Sequence, residues 1–192
     1  MNSQSISPSE RDRVVKDLTD SRERLLRATR GFSPEQLDYK PAAAHWSIAE
    51  NLEHLIIVEG ILLQRIANIS QGAADSFNPS GWQGRDDEVV ALVLNRSNRF
   101  RGPAAADPTG RWRHEELLRE FEAARKRTRE FVASTNADLR RASFRHPIFG
   151  ELDFYQWLLI LSAHSDRHRA QIEEVAAGVG FPKAAVHAAN QG

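Results

Sequence analysis

The sequence predicts an all-α fold, a four-helix bundle, and three observations carry that prediction. Four long segments repeat apolar residues at helical spacing, helix-start signals precede three of them, and no convincing alternating strand pattern occurs in the chain. A length of 192 residues fits one domain over 1–192, with a core over 8–178 and a C-terminal tail over 179–192. That length buries a core without staples, so any metal would serve function and not folding.

The first helix opens at Ser7-Pro8-Ser9-Glu10, where Ser7 is the N-cap, Pro8 occupies the first helical position and Glu10 closes a capping box. Val14, Leu18, Leu25 and Ala28 form its apolar stripe, which ends near Gly31. Ser33-Pro34-Glu35-Gln36 repeats the start signal for a short helical turn. The second long helix begins at the capping box of Ser47 and Glu50 and runs to about Ser70. Its middle (Leu55 to Val58, then Ile61 to Leu63) is apolar nearly all round, as expected of the most buried helix or of a dimer face.

Glycine and proline punctuate residues 72–111, a long crossover interrupted by a short helix expected over Asp86 to Asn98. Loops of this length usually have a task, here to shape the mouth of a pocket. The third helix carries Leu117, Phe121, Ala124, Thr128 and Phe131 on one stripe and ends near Thr135. A turn at His146-Pro147-Ile148-Phe149-Gly150 leads into the fourth helix, capped by Asp153 and Gln156, which continues to Gly178.

Composition removes several function classes. Lys plus Arg and Asp plus Glu are 26 each, so no net field draws in nucleic acid, and arginines between Arg111 and Arg129 alternate with glutamates as on a solvated helix face. There is no cysteine, which excludes disulfides, thiolate metal sites and a protein thiol nucleophile. No signal segment or membrane span is read from the sequence, so no membrane partner and a cytoplasmic location are expected.

The chemistry-bearing pattern is histidine. His164 and His168 lie four apart within the apolar stripe of the fourth helix, and residues so spaced have Cβ atoms about 5–6 Å apart. Zincins place a glutamate base after the first histidine; here Ser165 stands there, which disfavours a metalloprotease. The pair alone fits a metal site or two satisfied core histidines equally well. His54, inward-facing before the apolar run of the second helix, tips the balance, because one cation would satisfy three buried imidazoles at once. His114 is the candidate for a fourth ligand, against a helix-end histidine near solvent. His45, His146 and His187 lie in loops and tail. Glu50 reads as a cap before a ligand-orienting carboxylate, Gln171 as a water-binding or gap-filling amide, Trp46 and Trp157 as packing, and Arg167 and Arg169 as surface charges within reach of a cosubstrate carboxylate.

Trp46-Ser47-x-x-Glu50-x-x-x-His54-Leu55, joined to His164-x-x-x-His168-x-x-Gln171-Ile172, resembles the DinB superfamily of DinB and YfiT-like proteins. Ser33-Pro34-Glu35-Gln36-Leu37 and Pro147-Ile148-Phe149-Gly150 match it too. The resemblance implies a bundle of 1-2-4-3 connectivity, often dimeric, with one zinc, nickel or iron ion on His54, His164 and His168. Members of that family with known activity include thiol S-transferases that use bacillithiol, glutathione or related thiols, and a mycothiol-dependent maleylpyruvate isomerase. The expected function is therefore transfer of a small-molecule thiol, a low-molecular-weight cosubstrate, to a small electrophile by a homodimeric metalloenzyme. Metal-hydroxide hydrolysis of small amides or esters is the alternative enzyme, and a non-enzymatic metal-binding or interaction bundle the alternative class.

Overall fold

The computed structural model describes residues 6–70, 81–97 and 102–183. Helix α1 spans Pro8–Thr29, α2 Pro34–Asp38, α3 Ile48–Ser70, α4 Asp86–Leu94, α5 His114–Ser134 and α6 Phe154–Ala176. Each expected start signal is formed. Ser7 with Glu10, Ser33 with Gln36, and Asp153 with Gln156 make reciprocal capping boxes, and Ser47 and Glu50 exchange bonds of 3.1 and 2.8 Å at the head of α3. These caps satisfy amide donors that a helix leaves unpaired at its N-terminus.

The four long helices form the bundle. α1 packs on α5 and α6, and α3 packs on the same two, so the order around the bundle is α1, α5, α3, α6. The consecutive pairs α1 and α3, and α5 and α6, thus lie across the diagonals, while α3 and α5, joined by the long crossover, pack side by side. Helix α4, shorter at its C-terminus than expected, packs on α6; Asn98 lies outside the described residues. A 3-10 turn at Ala104–Ala106 sits on α3.

Two findings depart from the sequence reading. The segment before α6 is an antiparallel hairpin, β1 (Ser143–His146) paired with β2 (Gly150–Asp153). Four-residue strands are too short to display an alternation, and Gly150, at φ 77°, supplies the left-handed turn residue that closes them. The most buried helix is α6, not α3, because α3 turns Gly60, Ile61, Gln64 and Arg65 outward after a fully buried run from Asn51 to Ile56.

The core has two apolar ends. One gathers Val14, Leu18, Leu62, Ile66, Val132 and Leu158; the other gathers Leu25, Leu52, Leu55, Phe121 and Ile172. Between them lies a polar layer. Arg125, 1% exposed, bonds both Glu59 oxygens at 2.9 and 3.1 Å, Ser21 Oγ at 2.9 Å, the Leu18 carbonyl at 3.1 Å and Ser165 Oγ at 2.8 Å, joining all four long helices. No helix among the described residues is long and apolar enough to cross a membrane.

Candidate metal centre

Helix α3 presents His54 and helix α6 presents His164 and His168 to a common point. Their Nε2 atoms approach closely, 3.3 Å from His54 to His164 and 3.0 Å from His168 to His164, and one ring nitrogen from each lies within 4.8 Å of the others. The lone pairs are fixed by what the opposite ring nitrogens do. His54 Nδ1–H donates to the Ala106 carbonyl at 2.7 Å. His168 Nδ1–H donates to Asn51 Oδ1 at 2.7 Å, and the Asn51 amide group is oriented by donating to the Ser47 carbonyl at 2.8 Å. Both Nε2 atoms are therefore bare acceptors.

A proton network cannot satisfy this arrangement. His164 Nε2 can carry one hydrogen and serve one of the two lone pairs, leaving the other facing it with nothing between. Charging a ring would supply a second hydrogen, but burial pushes His164 and His168 well below the usual histidine range, with the neighbouring histidines adding to it. Burial lowers His54 as well, outweighing the opposing bond to Ala106. Neutral imidazoles are what a cation needs. Two nitrogens on one tetrahedral ion at about 2.0–2.1 Å stand about 3.3 Å apart, close to the spacings found. The donor set fits a divalent transition metal.

Sequence reasoning missed what positions these rings. Glu53, 3% exposed, sits beside His54 and accepts from the backbone N–H groups of Thr109, Gly110 and Arg111 at 2.9, 2.9 and 3.0 Å and from the Thr109 hydroxyl at 3.1 Å. Burial opposes its charge, but those donors outweigh burial and hold the carboxyl below the usual range. Gly110, at φ 74°, lets the loop fold its amides around the carboxylate. This latch ties the end of the crossover to α3 and so holds Ala106 over His54. Trp46 closes the other side, 4.7 Å from the His54 ring and stacked on His168 at 5.9 Å.

The histidines open on a cavity of about 920 Å³ that runs between α3, α6, the hairpin and the crossover. Val93, Arg96, Gly102, Pro103 and Ala106 line it, so the described parts of the crossover do shape the pocket. Other expected residues are sorted by the same geometry. Gln171 and Arg167 line the cavity, the latter also bonding the carbonyls of Val93 and Asn95. Glu50 is a cap paired with Lys40, and Arg169 is held at the surface by Asp166 and Glu173. His114 pairs with Asp38 at 2.8 Å and stays outside the histidine cluster, so it is no fourth ligand. Ser165 bonds Arg125 and the Leu161 carbonyl within the core. Trp157 is cavity wall, stacked on Phe144 at 4.3 Å. His146 also reaches the wall; its Nδ1 accepts from the amides of Ile148 and Phe149, and burial pushes its pKa down to about 4. His45 lines the rim, and His187 lies outside the described residues.

Comparison with known proteins agrees with this picture at the level of fold and family. YuaE of Bacillus subtilis (strain 168) is 24% identical over 151 residues, covering 76% of this chain and 86% of that protein. YfiT from Bacillus subtilis, described as a probable metal-dependent hydrolase with an unusual four-helix bundle topology, superposes with a TM-score of 0.56 at 15% identity, covering 92% of this chain and 91% of its own. TT2238, a four-helix bundle protein, superposes with a TM-score of 0.52 at 24% identity, covering 85% and 98%. The model of the DinB superfamily matches residues 17–172, a span that takes in all three converging histidines, and the chain belongs to that superfamily.

Proposed function

We propose that His54, His164 and His168 ligate one divalent transition-metal ion, zinc, nickel or iron, and that the protein is an enzyme transferring a small-molecule thiol to an electrophile. The observation that carries this reading is the pair of locked Nε2 lone pairs facing a third imidazole at the inner end of a large cavity. Three neutral ligands leave an ion its full charge and room for an exchangeable group. When bound, such an ion lowers the pKa of a thiol toward neutrality.

The chain's own residues do the rest. Ala106 and Asn51 hold two imidazoles in the ligating tautomer, and Trp46 packs against the rings of His54 and His168. In the transfer, the thiol proton leaves to solvent, sulfur bonds an electrophilic carbon, and the leaving group departs from that carbon. No protein base is needed for this. That matters, because Glu174 is the one carboxylate among the described residues of the lining, and Arg96 binds it at 2.5 and 2.6 Å. A cytoplasmic setting, where small thiols stay reduced, suits such a reaction. A homodimer belongs to the same reading.

Hydrolysis of a small amide or ester is the second reading, favoured by the description of YfiT as a probable metal-dependent hydrolase. One experiment separates them. Protein purified without nickel chromatography should contain close to one metal per chain by elemental analysis, and His164→Ala should contain none. The loaded protein is then assayed with a panel of thiols and electrophiles. Thiol-dependent turnover supports transfer, turnover without thiol supports hydrolysis, and unchanged metal in His164→Ala overturns the ligand assignment.

A further inference from the structure

The hairpin puts a fourth histidine on the cavity wall, one that the metal reading leaves without a task. His146 closes β1, and its Nδ1 accepts from the backbone N–H groups of Ile148 and Phe149 at 3.1 and 3.2 Å. A nitrogen that accepts both amides carries no hydrogen of its own, so the ring is neutral and its one hydrogen sits on Nε2. Burial acts in the same direction and pushes the pKa down to about 4. The ring is also held in place. Phe149 stacks on it at 4.4 Å and Trp157 packs against it at 4.9 Å. Trp157 in turn stacks on Phe144 at 4.3 Å, so four rings in mutual contact line the cavity. With Nδ1 taken by the turn and the ring packed against two aromatic neighbours, what His146 offers the cavity is the edge that carries Nε2–H. No protein acceptor among the described residues takes that hydrogen. The donor also belongs to the same chamber as the candidate centre, near enough that a charge on it would bear on His164.

We propose that His146 Nε2–H is a fixed hydrogen-bond donor to the carbonyl oxygen of the electrophilic substrate, a flat, uncharged carbonyl compound that lies along the aromatic wall. A neutral N–H offers an anion no charge to offset its desolvation, and a wall of rings gains most contact from a flat partner. A donor set in place before the ligand arrives is also what a carbonyl oxygen needs when its carbon is attacked, by thiol or by water alike. The inference deepens the reading above by naming the class of electrophile, yet its binding test needs no turnover.

Acetophenone and α-methylstyrene, alike in shape but with C=CH2 for C=O in the second, test this on the protein as purified. His146→Asn keeps an acceptor near the position of Nδ1 and loses the far donor; His146→Gln reaches the position of Nε2 with an amide N–H and loses the acceptor of the turn. In His146→Asn the calorimetric Kd of acetophenone should rise roughly 2–10-fold, the usual weight of one neutral hydrogen bond, while that of α-methylstyrene stays unchanged. The infrared carbonyl band of bound acetophenone, lowered by the hydrogen bond in the unaltered protein, should return in His146→Asn to its position in hydrocarbon solvent and stay lowered in His146→Gln. A role confined to the turn gives the reverse order of the two variants and overturns the proposal. So does acetophenone that fails to bind the unaltered protein, or a band at one position in all three proteins. Metal content should be the same in all three, since His146 stands outside the histidine cluster. Absence of thiol-dependent turnover throughout would sink the transfer reading and leave the binding result standing.

Discussion

A histidine becomes a ligand only when its second nitrogen is occupied, and Asn51 does this for His168. It stands one turn before His54 on the same buried face of α3, so its Oδ1 reaches across to α6 and decides which nitrogen of His168 keeps a lone pair. Removing it in Asn51→Ala leaves the His168 Nδ1–H buried without an acceptor and frees the ring to swap tautomer. Metal affinity, read by competition with a chromogenic chelator, should fall roughly 10–100-fold, the usual cost of losing such a partner. Asn51→Asp, which keeps an acceptor oxygen, should recover most of it; wild-type affinity in Asn51→Ala would show the bond to be incidental. The three histidines were legible from sequence because ligand spacing on α6 and an inward position on α3 are side-chain patterns. Asn51 was missed, although its signal is there, a polar residue on an apolar face. The Ala106 carbonyl was not legible at all, since a backbone acceptor leaves no mark in the sequence.

The elements that carry long helical periodicity were readable to within a few residues, because caps and stripes are local. What could not be read were the contacts made between elements distant in the chain. Glu53 looks in sequence like an ordinary helical glutamate, yet it binds a loop more than fifty positions away. The hairpin is equally hidden, its strands too short for a pattern, although it lines the cavity with Phe144, Arg145 and His146. Glu53→Ala removes an acceptor of four bonds and leaves three loop amides to water or to nothing. The variant should lose about 1–3 kcal/mol in urea denaturation, the range for unsatisfied buried donors, and limited proteolysis should cut within 102–111 first. An unchanged midpoint together with an unchanged digestion pattern would mean the loop is held by other contacts.

Across the whole bundle, the candidate centre lies at the level of the polar layer and not at a bundle end. Ser21, Glu59, Arg125 and Ser165 fall between the two apolar clusters on their respective helices, and Ser165 adjoins His164 in sequence. Apolar contacts alone tolerate small slides and rotations of packed helices, whereas a guanidinium bonded to three other helices does not. The layer therefore fixes α6 against α3, and with it the meeting of histidines from those two helices. Glu59→Ala strands a buried charge and should cost about 3–5 kcal/mol in urea denaturation. The double variant Glu59→Leu/Arg125→Met removes both charges and should regain much of that stability, as apolar replacements of buried pairs commonly do. Its metal affinity should nonetheless stay below that of the unaltered protein in chelator competition, because the rotational setting of α6 is lost while the core is kept. Wild-type affinity in a stable double variant would assign the layer to stability alone, with the histidines held in place by Asn51, Ala106 and local packing.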